Sequence, residues 1–426
     1  MQRRSFFKSL AAAVGSSAWL LQKTSQAGQF PAALEALPKD STAYWGLIKK
    51  QFLLPEGYAY FNTGGLGASP YHVLEETQNM MRNLEIYPAP GYDPELWAKT
   101  KGLAAQLLGA PSDAVALTNS TTEGNNIIVN GLPLAKGDEI ITSTHEHVGL
   151  SIPLLNLMQR QGVVIKVFDP DLKRGPGNVE RIERLINRRT RLIFVSHITC
   201  TVGQLFPEKA IADLAHSKKI LFALDGAQVA GNMPIDVLRY NSDFYAAGGH
   251  KWVLGPKRTG MLYVKKEHLD TLRPINVGAY SADGGDLKNL TMDLNPTAQR
   301  YEYATQNSAL YHGLGKAIEF ITQIGIERIW QHNRLLAEKL YTDLLQIPGV
   351  EALSPAEEEF RTSLITFRIP GKDYRQVANY LINERQLRVR IVSEAQLEGI
   401  RVSVHLYNDE EEIDRLLQGI AAAASV

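Results

Sequence analysis

Residues 224–264 carry the most informative pattern in the chain and read LDGAQVAGNMPIDVLRYNSDFYAAGGHKWVLGPKRTGMLYV. An apolar strand ends at Asp225, and a second apolar run leads through glycines to Lys251. A lysine amine reacts near neutral pH when burial lowers its pKa or an imine holds it, and neighbouring glycines let a planar ligand approach the backbone. A carboxylate at the end of a buried strand can keep a pyridine nitrogen protonated. Together the two residues predict a pyridoxal phosphate site with Lys251 as the Schiff-base lysine.

Each of these features also has an ordinary structural interpretation. An Asp-Gly pair after an apolar run is commonly a turn, and a lysine among glycines is commonly a solvated charge or a phosphate contact. The order of Asp225 and Gln228, then residues 249–256 (GHKWVLGP), then the strand at 260–264 favours the catalytic interpretation. This stretch resembles the class V aminotransferase family of pyridoxal-phosphate enzymes. That family includes cysteine desulfurases, selenocysteine lyases and isopenicillin N epimerase-like proteins.

The first 27 residues have the composition of an export signal. Arg3 and Arg4 precede a mild apolar run at residues 10–21, and residues 25–27 (SQA) offer a small-residue cleavage site. The paired arginines predict recognition by the twin-arginine export machinery and a periplasmic location. The alternative, a membrane anchor, is less favoured because the run is shorter than the ~20 apolar residues of a spanning helix.

Length and composition narrow the possible functions. A chain of 426 residues predicts a large domain with a smaller one attached. Acidic and basic residues number 45 each, so nothing favours a nucleic acid or an anionic membrane surface as partner. The single cysteine, Cys200, excludes an internal disulfide and a cysteine-rich metal site.

Strand and helix patterns alternate along the middle of the chain. Predicted strands lie at 115–117, 139–142, 163–168, 192–196, 220–224 and 260–264, and predicted helices at 95–108, 123–130, 148–161, 179–186 and 208–216. Such alternation implies a mostly parallel sheet with covered faces and ligands at the carboxyl ends of its strands. With the resemblance, it predicts an α/β chain of fold type I. A signal (1–27) and an N-terminal segment (28–60) precede a large domain with a seven-stranded sheet (61–325) and a small α+β domain (326–426), which also takes in part of the N-terminal segment.

The small domain has its own pattern of elements. Helices are predicted at 309–324 and 327–345 before it, and then from Tyr374 and from Glu410 within it. Strands are predicted at 364–368, 387–391 and 400–406.

Residues 118–124 (TNSTTEG) separate a predicted strand from a predicted helix. Backbone N–H groups and hydroxyls at such a helix start can bind phosphate, although an ordinary N-cap needs no ligand. The resemblance implies that Thr121 and Thr122 hold the cofactor phosphate. Gly248 stands where desulfurases often have a serine, so His250 and the helix amides would have to compensate.

Two histidines open the next helix. Their His-x-His spacing could suggest a metal, but a zinc site needs three or four convergent ligands, and no metal is predicted. Glu146-His147, followed by Pro153, is similar to the Glu-His motif of the family. The resemblance implies that His147 stacks on the pyridine ring and leaves His145 as a structural residue.

Cys200 lies where the family often has an asparagine that contacts the phenolic oxygen of the cofactor. Because a thiol is a poor hydrogen-bond partner, Gln228 is expected to make this contact with Thr201 as a helper. Residues 58–67 (YAYFNTGGLG) read as a short strand and a glycine-rich loop, and the resemblance implies that Asn62 and the loop face the substrate. Thr305 matches a family threonine that reaches the phosphate of a neighbouring subunit, which implies a homodimer.

Two arginines in the small domain could anchor a substrate carboxylate. The planar guanidinium fits a carboxylate bidentately, although most arginines are surface charges. Residues 399–408 (GIRVSVHLYN) are similar to the C-terminal segments of the family, which makes Arg401 the stronger candidate and Arg390 the second.

The resemblance implies chemistry at the α-carbon of an amino acid or peptide-linked amine, with Lys251 moving the proton. Transamination, epimerisation and β-elimination all remain open. The resembling cysteine desulfurases use a cysteine between these two arginines, and residues 391–399 contain none, which disfavours persulfide chemistry. The overall resemblance is to isopenicillin N epimerase-like proteins, so we expect an aminotransferase or epimerase, with a C–S or other β-lyase as the alternative. A non-catalytic or metal-binding exported protein of the same fold is the alternative from another class.

Overall fold

The computed structural model describes residues 37–38, 41–88 and 93–425. The predicted export signal, including Arg3 and Arg4, lies outside these residues. Within the described ranges, no helix combines the length and the apolar character that crossing a bilayer requires.

Helices and strands alternate through most of the described chain. The helices are α1 (Thr42–Lys49), α2 (Tyr71–Ile86), α3 (Pro94–Leu108), α4 (Thr121–Gly131), α5 (Val148–Gln161), α6 (Gly177–Leu185), α7 (Glu208–Ser217), α8 (Val237–Tyr240), α9 (Ser308–Ile324), α10 (Ile326–Leu344), α11 (Tyr374–Asn383) and α12 (Glu410–Ser425). The strands are β1 (Ala59–Tyr60), β2 (Val115–Thr118), β3 (Glu139–Ser143), β4 (Val164–Phe168), β5 (Thr190–Ser196), β6 (Leu221–Asp225), β7 (Phe244–Gly248), β8 (Gly260–Val264), β9 (Ala282–Asp286), β10 (Thr291–Leu294), β11 (Glu351–Ala352), β12 (Leu364–Arg368), β13 (Leu387–Arg388), β14 (Arg390–Val392) and β15 (Gly399–Ser403).

The large sheet has seven strands in the order β2-β8-β7-β6-β5-β3-β4. Strand β8 runs antiparallel to both of its neighbours, and the other neighbouring pairs are parallel. The predicted α/β architecture with a mostly parallel seven-stranded sheet is therefore confirmed. Strands β6 and β7 are almost entirely buried, as expected for central strands covered by helices on both faces.

Local sequence explains where the elements begin and end. Helix α3 begins after Asp93, whose side chain accepts hydrogen bonds from two backbone N–H groups of the first turn, and it ends at Gly109 with φ of 64°. Helix α4 lies directly on β7, because a Cβ on Gly124 would be only 2.8 Å from the Cβ of Ala246. This close packing brings the start of α4 to the edge of the sheet where β6 and β7 end.

The C-terminal part of the chain contains an antiparallel sheet in the order β11-β12-β15-β14. Two predicted strands need correction. The strand predicted at 387–391 is divided at Val389, because β13 pairs with β1 whereas β14 pairs with β15. The strand predicted at 400–406 ends at Ser403, where the ladder with β12 stops. The pairing of β1 with β13 joins residues near the start of the described chain to this C-terminal sheet.

We expect Gly226→Ala to lower the free energy of unfolding by about 1–3 kcal/mol, the usual cost of overfilling a packed site. The reason is that a Cβ on Gly226 would lie 2.1–2.4 Å from atoms of the Tyr245 ring. Urea denaturation of the purified protein measures this change.

The matched control is Gly102→Ala in helix α3, where a Cβ would meet nothing within 4 Å. Alanine in a helix interior is favoured over glycine, so this variant should gain about 0.5–1 kcal/mol. Equal effects from the two substitutions would contradict the packing argument.

Candidate active site

A cavity lies at the carboxyl ends of the central strands, between the large sheet and the C-terminal sheet. It brings together nine of the twelve site residues predicted from the sequence, which are Thr121, Thr122, His147, Asp225, Gln228, His250, Lys251, Arg390 and Arg401. Their parent elements are far apart in the chain, and the parallel sheet collects them at one edge.

Lys251 follows β7 and is buried, with 9% of its surface exposed. Burial lowers the pKa of its amine, and the carboxylate of Asp225 partly opposes that shift. The N–H of Gly67 donates to the carbonyl of His250 at 2.9 Å. A Cβ on Gly67 would lie 1.9 Å from the carbonyl oxygen of Lys251, so only glycine allows the N-terminal loop to cover this lysine.

Asp225 ends β6, and hydrogen bonds orient both of its carboxylate oxygens. Oδ1 accepts from the N–H of Ala227 at 2.9 Å, and Oδ2 accepts from Nδ2 of Asn125 at 2.7 Å. Asn125 is fully buried and was not predicted as a site residue. Its only signal in the sequence is a polar side chain on the otherwise apolar inner face of α4.

His147 is the N-cap of α5, and its Nδ1 accepts from the N–H of Gly149 at 3.0 Å. This bond leaves the proton of the neutral ring on Nε2. Burial lowers the pKa of His147, and the positive charge of Lys251 lowers it further. The ring is therefore neutral near pH 7, which fits the predicted stacking on an aromatic cofactor.

The opposite end of the cavity fits a phosphate. Thr121 and Thr122 form the first turn of α4, where backbone N–H groups and the helix dipole favour an anion. A Cβ on Gly149 would lie 2.5 Å from Oγ1 of Thr122, and one on Gly248 would lie 2.9 Å from Oγ1 of Thr121. The two glycines keep these hydroxyls open to the cavity, and His250 lines it beside them.

Gln228 and Cys200 line the cavity, whereas Thr201, which was expected to help Gln228 contact the cofactor, does not. Gln228 lines the cavity, donates from Nε2 to the carbonyl of Gly64 at 2.9 Å and accepts from the indole of Trp252 at 2.9 Å. Thr201 is buried outside the cavity lining, and its hydroxyl pairs with Nδ1 of His145 at 2.8 Å. The structure therefore does not bring Thr201 to the cavity. Cys200 does line it, and burial raises the pKa of its thiol to about 11.

Arg401 is buried on the wall formed by the C-terminal sheet. Its Nη1 donates to the carbonyl of Cys200 at 2.5 Å, and its Nη2 donates to Oδ1 of Asn62 at 3.4 Å. Its Nε has no hydrogen-bond partner among the residues that the structure describes. Burial lowers the pKa of Arg401 to about 9, with a contribution from the charge of Arg390. Asn62 does not line the cavity itself, but this hydrogen bond connects it to Arg401, which does.

Thr305 is exposed and does not line the cavity of its own chain. Its predicted contact with the phosphate of a neighbouring subunit stays a prediction. The one described group of side chains that could hold a metal ion is Asp243, Glu267 and His268, at the opposite edge of the sheet. There Lys265 already pairs with Glu267 at 2.9 Å.

The family model described as aminotransferase class-V matches residues 91–416. The probable cysteine desulfurase of Methanothermobacter thermautotrophicus is 32% identical over 327 residues, which are 73% of this chain and 80% of that protein. The isopenicillin N epimerase of Streptomyces clavuligerus is 27% identical over 394 residues, which are 90% of this chain and 99% of that protein.

Solved structures of one protein, C-DES, have a similar fold. The complex of the cystine C-S lyase C-DES with its reaction product cysteine persulfide has a TM-score of 0.79 at 28% identity, covering 86% of this chain and 98% of that chain. A C-DES variant with glycine covalently linked to the PLP cofactor has a TM-score of 0.80 at 27% identity, covering 88% and 98% of the two chains.

Glu146 lies behind the cavity and was not predicted to have a role of its own. Its carboxylate accepts from the hydroxyls of Ser143 and Ser196, each at 2.5 Å, and from the N–H of Ser196 at 2.9 Å. Burial nevertheless raises the pKa of Glu146 to about 7, and the nearby charge of Asp225 adds to the shift. The folded protein therefore holds the Glu146 proton more tightly than the unfolded chain does.

We expect the contribution of Glu146 to stability to be complete below about pH 4.5 and to be lost as the pH rises to about 7. The loss should reach at most about 1.4 kcal/mol per pH unit. Glu146→Gln should remove this loss from urea-unfolding free energies measured across that range, whereas Glu56→Gln, at an exposed residue, should keep the wild-type profile. Identical profiles for the two variants would argue against a buried, protonated Glu146.

Proposed function

The chain belongs to the class V aminotransferase family, and from that premise we propose that it acts at the α-carbon of an amino acid or peptide-linked amine as an aminotransferase or epimerase. The enzyme depends on pyridoxal phosphate, as the fold type I architecture and the PLP-linked C-DES structure support. The observation that carries the proposal is the buried Lys251 amine, with its lowered pKa, in the same cavity as the oriented carboxylate of Asp225.

Different residues of the cavity would hold the cofactor and the substrate. The bound cofactor supplies a ring that takes up electron density from the α-carbon. Thr121, Thr122 and the first turn of α4 would hold its phosphate, and the oriented carboxylate of Asp225 would hold a proton on its ring nitrogen. The imidazole of His147 offers a neutral aromatic face.

Lys251 is the group proposed to move the proton. Its lowered pKa increases the fraction of neutral amine, and a neutral amine can accept a proton from the α-carbon and return it. Reprotonation of the same carbon from the opposite face, by a group other than Lys251, would give epimerisation, and the bound cofactor would supply the amino-group acceptor for transamination. Arg401 would bind the substrate carboxylate, since its Nε has no hydrogen-bond partner within the described ranges and a carboxylate fits the guanidinium.

A C–S lyase is the second candidate, and the likeness to C-DES and to a probable cysteine desulfurase favours it. Transfer of sulfur through an enzyme persulfide is not supported, because residues 391–399 contain no cysteine. The remaining thiol, Cys200, has a pKa of about 11, and a protonated buried thiol is a poor nucleophile. Product analysis separates the candidates. Release of sulfide from cysteine, or of cysteine persulfide from cystine, together with pyruvate and ammonia supports the lyase. A keto acid that keeps the side chain of the substrate, formed without release of sulfur, or the opposite enantiomer supports the first proposal.

We expect borohydride reduction of the yellow holoenzyme to fix cofactor mass on the peptide that contains Lys251. Lys251→Ala should abolish turnover, with a loss of several orders of magnitude, because the amine that holds the cofactor and moves the proton is absent. Mass spectrometry and activity assays measure the two effects.

Lys257 provides the matched control, since its amine donates to the carbonyl of Gly67 at 3.2 Å and also lies close to the site. Lys257→Ala should keep the labelled peptide at Lys251. Label on Lys257 would refute the assignment, and a purified protein that takes up no cofactor would favour the non-catalytic alternative.

Two further proposals rest on the sequence. Thr305 would complete the phosphate site of a second subunit in a homodimer.

Arg3 and Arg4 would direct the folded enzyme to the twin-arginine machinery, and replacing both with lysine should leave yellow precursor in the cytoplasm. Cell fractionation tests this, and unchanged export of the double variant would rule out that pathway.

A further inference from the structure

Two arginines stand side by side on the substrate wall of the cavity. Arg390 and Arg401 are directly opposite each other in the antiparallel pair of β14 and β15, so their side chains share one face. Both line the cavity. They differ in their partners, because Arg390 forms an ion pair with Glu394, whereas Arg401 is bonded to a carbonyl and an amide oxygen and forms no ion pair within the described residues.

We propose that Glu394 is a specificity-determining residue that neutralises Arg390 and restricts the enzyme to substrates whose only acidic group is the α-carboxylate. This inference rests on the proposed function, in which Arg401 binds that carboxylate. With Glu394 present, the two guanidinium groups and the one carboxylate leave the wall with a net single positive charge, which accepts one anionic group. A second carboxylate on the substrate side chain would meet the like charge of Glu394 or have to displace it from Arg390.

The contacts of Glu394 hold its carboxylate at this position. One oxygen accepts from Nη2 of Arg390, and the other accepts from the N–H of Ser393 at 3.1 Å. Burial alone would raise the pKa of Glu394, but the hydrogen bond and the charge of Arg390 outweigh it, so the pKa is lowered and the group stays ionised. The Nη1 atom of Arg390 is buried and has no hydrogen-bond partner in the described part of the chain. Removing Glu394 would therefore leave a guanidinium ready for another carboxylate.

The loop that carries Glu394 has an unusual backbone. Ala395, Gln396 and Glu398 have φ angles of 51°, 57° and 49°, in the left-handed region that non-glycine residues rarely adopt. Such conformations persist only where the surroundings determine them, and they cluster at functional sites. The pair between Glu394 and Arg390 fastens the start of this loop to β14. The charge of Glu394 also acts on His147 and Cys200, because it raises the pKa of each of these groups.

The test compares how holoenzyme variants bind propionate and succinate, two amine-free acids with one and two carboxylates. Neither acid requires turnover, so thermal shifts at increasing ligand concentration give both dissociation constants. Wild-type enzyme should bind propionate at least as tightly as succinate. In Glu394→Gln, which keeps the side-chain shape and removes the charge, the ratio of the two constants should move at least tenfold in favour of succinate.

Glu398→Gln is the matched control, because Glu398 lies exposed in the same loop and forms no ion pair within the described residues. It should keep the wild-type ratio. The double variant Glu394→Gln with Arg390→Gln should lose the gain in succinate binding, because the freed guanidinium is absent. A loop that was only loosened would weaken both acids together and leave the ratio unchanged.

Three outcomes would overturn the inference: a wild-type enzyme that already prefers succinate, a Glu394→Gln ratio that stays at the wild-type value, or an equal change in Glu398→Gln. The first is measured on wild-type protein, so it stands even if Glu394→Gln fails to fold. Failure of the proposed function is read separately, from the borohydride label on Lys251, which does not depend on acid selectivity.

Discussion

The close approach of Gly67 to the backbone of Lys251 is the constraint on which the rest of the site depends. This contact places the N-terminal loop over the lysine, and only a residue without a side chain permits it. The same loop is held from the other side, since the N–H of Ser403 donates to the carbonyl of Phe61 at 2.8 Å. Three distant parts of the chain, the loop after β1, the end of β7 and strand β15, therefore enclose one cavity. Its low exposure to water follows from this enclosure.

Exclusion of water sets the protonation of the groups in and around the cavity. Burial lowers the pKa of Lys251 and of His147, and it raises that of Cys200 and of Glu146. All four shifts favour the uncharged form. An amide side chain and a backbone N–H orient the two oxygens of Asp225. The cavity thus offers a neutral amine and a neutral ring beside an oriented carboxyl group, which suits proton transfer at a carbon atom.

The two arginines of the cavity also differ in what balances their charge. Arg390 pairs with Glu394, whereas Arg401 is contacted by neutral oxygens. A buried charge without a counter-ion is costly, and binding of an anionic group offsets that cost. Arg401, which forms no ion pair within the described residues, is therefore the position at which an anionic group gains most.

The sequence by itself determined the alternation of strands and helices between β2 and β8, the mostly parallel sheet, and most of the cavity, because alternating apolar runs and the residues at strand ends depend on local pattern. It could not determine that residues 387–391 divide between two sheets, since pairing partners distant in the chain decide where a strand ends. Nor could the sequence show that Asn125 donates a hydrogen bond to Asp225 or that Glu394 forms an ion pair with Arg390. It also could not show that Thr201 lies outside the cavity. Those relations arise from side-chain directions and from burial, which depend on how distant segments pack against each other and exclude water.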